Sequence, residues 1–277
     1  MRRVLTLLAL ACAPLMSAMA QRGGYRGGYF SGDPMEYYAP PDFAGNVPYD
    51  GRFTFARIKY RGYAHWSGRE GPGWSHDYPT AESHLMRIMK EISSLNPFIE
   101  KGPMVGSVIL ALDDPQLMKY PVSYLSEPGG WFPTESEVTG LRKYLMKGGF
   151  MIVDDFGRGE DDSTNFWGQM RRVLPNHRIQ LLPRDHPIFN SFFTIDLAIL
   201  DRECERGGGF RSACYRGLPE YYAVFEDNDP KKRIMVMVNF NNDVGEYWQW
   251  SDQGFSVVPS NEAYKLGVNY LIYALTH

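Results

Sequence analysis

The chain has 277 residues, 44% of them apolar and 22% charged, which suffices for a sizeable packed core and argues against global disorder. A formal net charge of −3 brings neither the basic excess that suits nucleic acid nor an acidic block that would form a solvating tail. Nucleic acid is therefore not an expected partner.

Residues 1–20 divide into three zones: the positive start Met1-Arg2-Arg3, an apolar run from Val4 to Leu15, and Ala18-Met19-Ala20. This is the pattern of a cleavable secretory signal, with cleavage expected before Gln21. The alternative is a retained N-terminal anchor. Cys12 could suggest a lipoprotein signal, but Ala9 stands where Leu is usual. Cleavage would remove Arg2 and Arg3 and take the net charge from −3 to −5. No later stretch approaches the ~20 apolar residues of a membrane helix, so no transmembrane segment is expected after cleavage. The expected location is periplasmic or secreted. Residues 21–52, rich in Gly, Tyr and Pro with no apolar period, read as a disordered tether, and residues 53–277 as an α/β domain.

Within that domain strand and helix signals alternate. Residues 53–60 alternate and are β-prone, and residues 79–95 carry Leu85, Ile88, Met89 and Ile92 at helical spacing, with Asp77 as N-cap. Residues 107–112 and 120–125 read as strands. A helix over 134–147 has Thr134 and Glu137 as a capping box and stops at Gly148-Gly149. Phe150-Met151-Ile152-Val153 follows as a strand buried on both faces. Further helices are predicted over 162–174 and 260–275, a helical turn or loop over 190–193, and strands over 177–182, 221–225 and 234–240. Alternation of this kind implies a mostly parallel sheet with helices on both faces, and chemistry beyond the carboxyl ends of its strands.

That rule selects Asp154 and Asp155, two acids at the end of the 150–153 strand. Paired carboxylates there can ligate a divalent cation, orient a water, or act as acid and base. In the plainer reading one caps a turn and the other is solvated. Glu160, Asp161, Asp162 and Ser163 read first as a solvated helix start, and second as extra oxygen ligands for Ca²⁺ or Mg²⁺. His76-Asp77 precede a predicted helix, so Asp77 is most simply a cap, while both could bind a ligand or metal. Glu82 and His84 read as helix-surface residues. The aromatic segments holding Trp74, Trp131-Phe132 and Tyr247-Trp248 either pack loops onto the core or, beside acids, offer faces to a sugar or peptide. Cys204 and Cys214 flank a Gly-rich loop and, in an exported chain, are expected to form a disulfide.

The segments Tyr60-Arg61-Gly62, Trp74-Ser75-His76-Asp77-Tyr78-Pro79, Gly148 through Asp155 and His186-Pro187-Ile188-Phe189 resemble the bacterial family called domain of unknown function 4159. The resemblance implies a flavodoxin-like sheet similar to class I glutamine amidotransferases, and no established activity. An amidotransferase carries a Cys at a tight strand-to-helix elbow. In register, Asp155-Phe156-Gly157 stands where Cys-x-Gly would be, and Ile188 replaces the acid after His186-Pro187. Glutamine hydrolysis is therefore not expected.

Two functions remain open. The first is a non-catalytic binding or assembly module of the cell envelope, meeting an envelope protein or a carbohydrate or peptide ligand around Asp154, Asp155, His76 and His186. The second is a hydrolase of carbohydrate or peptide, with or without a divalent cation, in which Asp155 or Asp154 is base or metal ligand and His186 or His76 assists. Convergence of the acids and histidines would favour the second.

Overall fold

A computed structural model describes residues 45–61, 73–99, 107–157, 160–205, 213–214 and 217–277. The expected signal, most of the expected tether and the loop enclosed by the cysteines lie outside the described residues. Among these residues seven strands form one sheet: β1 (Phe55–Ile58), β2 (Ser107–Leu110), β3 (Val122–Ser126), β4 (Phe150–Asp154), β5 (Ile179–Leu181), β6 (Glu220–Phe225) and β7 (Ile234–Phe240). Their order is β2-β1-β3-β4-β7-β6-β5. Every pairing from β2 across to β7 is parallel. β6 runs antiparallel to both of its neighbours. Only a short turn around Glu226–Asn228 separates β6 from β7, too little chain for a parallel crossover. The first five positions have the flavodoxin-like order, and the predicted α/β class holds.

Among the described residues six helices flank the sheet: α1 (Thr80–Ile92), α2 (Glu135–Met146), α3 (Glu160–Val173), α4 (Leu197–Glu205), α5 (Val244–Gln249) and α6 (Val257–Thr276). Strand alternation sorts the core into two layers. Phe55, Val122, Tyr124, Phe150, Ile152 and Met237 pack with residues of α1, α4, α5 and α6. Ala56, Ile58, Leu125, Met151, Val153, Val236 and Val238 pack with residues of α2 and α3. Because the period is two, Arg57 and Asp154 share the face of Phe55 and Ile152 and are carried into the α1/α5 layer. Among the described residues no helix is long and apolar enough to cross a membrane.

The α2 signal is realised in full. Thr134 Oγ1 accepts from the Glu137 amide at 3.3 Å, and the Thr134 amide donates to Glu137 Oε2 at 2.8 Å. Gly148, at φ 107°, turns the chain into β4. Three expectations need correction. Asp77 does not cap α1: Pro79 holds that position and no side chain caps the helix. The reason is that Asp77, at φ 65°, is turned inward and buried. Glu82 is not on the surface: it is buried, 2.6 Å from Arg57 Nη2, and Arg57 also donates to the carbonyls of Trp74 and His76. A guanidinium carried inward by strand parity needs a buried carboxylate, and Glu82 supplies it. His84 is part-buried, with Nδ1 2.7 Å from the Trp248 carbonyl oxygen.

Cys204, on α4, and Cys214 are joined by a disulfide with Cα atoms 5.4 Å apart. The next residue inward, Ala213, accepts a hydrogen bond from the Asp243 amide at 2.7 Å, so the bridge anchors the loop between β7 and α5. Replacing both cysteines by serine should lower unfolding free energy by about 2–3 kcal/mol, the entropy of closing so short a loop. Urea denaturation of the double variant checks this. An unchanged midpoint contradicts it.

Candidate functional site

The carboxyl ends of β3, β4 and β7 and the segment leading into α1 meet at one place. Backbone strain marks it. Of seven described non-glycine residues with positive φ, four lie here: Asp77 (65°), Glu127 (47°), Asp155 (62°) and Asn241 (57°). Such conformations persist where surrounding structure enforces them, and they concentrate at functional sites. Asp155 is the residue directly after β4, and its carboxylate has a different partner from those of Asp154.

Asp154 and Asp155 therefore divide their roles. Asp154 continues the strand on the α5 side and is fully engaged. Its Oδ2 accepts from the Tyr124 hydroxyl at 2.6 Å and the Gly245 amide at 2.8 Å, and its Oδ1 from the Val244 amide at 3.2 Å. It ties β3, β4 and the start of α5 together. Gly245 is required by closeness: a Cβ there would lie 2.5 Å from Asp77 Oδ2 and 2.7 Å from the Tyr124 hydroxyl.

Asp155 faces His76 instead, with Oδ2 3.0 Å from Nδ1. Asp77 Oδ2 lies 3.5 Å and Asp243 Oδ2 4.0 Å from the same nitrogen. The side chains of Asp77, Asp155 and Asp243 are at most 1% exposed, against 19% for His76. Neither oxygen of Asp77, neither oxygen of Asp155, nor Oδ2 of Asp243 accepts a hydrogen bond. Asp243 Oδ1 accepts from the Glu246 amide at 2.8 Å and caps α5. Glu246 and Glu127, both half-buried, complete the cluster. Ligand atoms of His76, Asp77, Asp243 and Glu246 all lie within 4.8 Å of one another, as do those of His76, Glu127 and Asp155.

Burial of several acids together penalises ionisation. Burial pushes Asp154 up to about 6, opposed by the hydrogen bonds from Tyr124, Gly245 and Val244. Asp77 is raised well above the usual carboxylate range by burial, with His76 acting against it and Glu246 and Asp155 adding to it. Asp243 is likewise raised well above that range, first by burial, then by Asp155, Asp77, Glu246 and Asp154. An oxygen-rich set with one imidazole is a donor set for a divalent cation.

The other candidates sit elsewhere. His186 caps a short turn by accepting the Ile188 amide at 3.2 Å, and its ring packs against Phe225 and Tyr273. Phe225 pairs with Ile234 at the start of β7, so His186 lies at the opposite edge of the sheet from the cluster. Trp74 and Trp248 are buried to 1% exposure, and Trp248 donates its ring N–H to the Ala263 carbonyl at 2.9 Å. Trp131 is buried in the α2/α3 layer, while Phe132 is exposed. Asp161 is exposed and Asp162 is buried against Gly129. Sequence reasoning missed Asp243, Glu246, Glu127 and Tyr124. A signal existed for Asp243: Asn241-Asn242-Asp243 follows an apolar strand just as Asp154-Asp155 do.

A family model described as domain of unknown function (DUF4159) matches residues 54–275, and the chain belongs to that family. A search of curated proteins finds no match.

The raised carboxyls have a consequence of definite sign. A carboxyl whose folded pKa exceeds its unfolded value of about 3.9 binds more protons in the native state, so its contribution to stability is lost as pH rises through the folded pKa. Asp243→Asn keeps the cap and removes the charge. In EDTA, this variant should gain stability relative to wild type as pH is raised from 4 to 7, measured by urea denaturation. A difference that stays flat with pH contradicts the assignment.

Proposed function

We propose that this DUF4159 member is an exported cell-envelope protein that works through a divalent cation held at the carboxyl edge of its sheet, and that its activity is cation-dependent hydrolysis of a carbohydrate or peptide. One observation carries the reading: both oxygens of Asp77 and of Asp155 and Oδ2 of Asp243 are buried around His76 and accept no hydrogen bond. Buried carboxylates without donors are costly, and a hard cation removes that cost. Asp77, Asp243 and Glu246 would hold it, with Asp155, Glu127 and His76 beside them. When bound, such an ion polarises a substrate oxygen and lowers the pKa of a bound water. His76 is the member of the Asp77–Asp155–Asp243 group open to solvent, and with Asp155 3.0 Å from Nδ1 it can hold a proton at the ring and pass it outward. The Cys204–Cys214 disulfide fits an oxidising compartment, which supports export.

A second reading keeps the cation without the hydrolysis. Asp77, Asp155 and Asp243 are each only 1% exposed, which also suits an ion that fixes the loops of a binding or assembly module. Turnover of oligosaccharide and peptide substrates with the cation present, lost in His76→Ala while cation binding persists, separates the two.

The cation itself is tested by thermal unfolding of the mature protein in EDTA and then with Ca²⁺, Mg²⁺, Mn²⁺ or Zn²⁺. At ~100-fold excess over Kd one of these should raise Tm by roughly 5–10 °C. The Asp77→Asn/Asp155→Asn double variant should lose that rise. Coincident curves for all cations would remove the proposal.

A further inference from the structure

The cluster is not a single ring of ligands. It consists of two groups that share His76: Asp77, Asp243 and Glu246 on one side, and Glu127 and Asp155 on the other. They come from different elements. Asp77 enters from the segment before α1, and Asp243 and Glu246 from the β7–α5 junction, whereas Glu127 follows β3 and Asp155 follows β4. Each group holds a fully buried carboxylate neither of whose oxygens accepts a hydrogen bond, Asp77 in the first and Asp155 in the second, and Oδ2 of Asp243 in the first accepts none either. One divalent ion does not reach the whole set: neither ligand group holds Asp155 together with Asp77 and Asp243.

We propose that the site takes two divalent cations per chain, one on Asp77, Asp243 and Glu246, the other on Asp155 and Glu127, with His76 between them. The proposal rests on the cation centre proposed above and extends it to a paired centre. A paired centre fits hydrolytic displacement, in which attacking and departing oxygens are held at once, better than it fits a single structural ion.

Mn²⁺ is the probe. The full mature chain is freed of metal with EDTA, dialysed, and titrated with Mn²⁺ while electron paramagnetic resonance is recorded. The expected result is a six-line signal of bound, isolated Mn²⁺ at one equivalent. At two equivalents it should broaden and lose intensity through spin coupling between neighbouring ions. Native mass spectrometry should give two Mn²⁺ per chain. Asp155→Asn and Asp243→Asn, each checked for a native circular dichroism spectrum, should each bind one Mn²⁺ and show no coupled signal at any ratio. One uncoupled Mn²⁺ per wild-type chain overturns the paired site and leaves the single-cation reading standing. No bound Mn²⁺ overturns both. The wild-type titration decides the question even if a variant fails to fold.

Discussion

The constraint on which this molecule turns is the burial of Asp77, Asp155 and Asp243 around one imidazole, with both oxygens of the first two and Oδ2 of the third satisfied by no protein donor. A protein interior does not tolerate such groups without compensation. Either protons or a cation must supply it. The upward shifts of Asp77 and Asp243 describe the protonated alternative. The backbone also bears on this arrangement, since Asp77, Asp155 and Glu127 all stand at positive φ next to one another in space.

The rest of the structure fixes these groups in place. Asp154 takes three hydrogen bonds, from Tyr124, Val244 and Gly245, and so sets the start of α5 against β3 and β4. That placement aims Asp243 at His76. Arg57 does the corresponding work on the other side. Paired with Glu82 and donating to the carbonyls of Trp74 and His76, it holds the strained turn that presents His76 and Asp77. Its guanidinium also lies 4.6 Å from the centre of the Tyr124 ring, linking the two supports. The disulfide adds a third, through the Ala213 carbonyl that receives the Asp243 amide. Loops on three sides of the site are thereby tied to rigid elements, which is how a centre can hold its geometry without being built on the strands themselves.

Much of this was legible in the sequence. The apolar run before Asp154, the Thr134 capping box and the alternation of strand and helix signals are local patterns, and the fold follows them. The pairing of His76 with Asp155 was within reach because Asp155 follows a buried strand and His76 stands just before a helix start. What was not legible depends on tertiary contact. Asp77 looks like a cap because a helix follows it; only its positive φ and inward turn remove it from that role. Glu82 looks like a surface residue because its partner, Arg57, lies on a strand 25 positions earlier. α4 and α5 are short helices held by packing rather than by a long apolar period, so periodicity could not find them. His186 has the right neighbours in sequence and stands at the wrong edge of the sheet, a matter of chain path after β5 that no motif encodes.

The most direct measurement is anomalous scattering from crystals of the mature protein grown with Mn²⁺. The account predicts anomalous density within roughly 2–2.5 Å of carboxylate oxygens of Asp77, Asp155 or Asp243, beside the His76 ring. A well-ordered site in which those oxygens instead bond to protein donors or water, with no anomalous density, would contradict it.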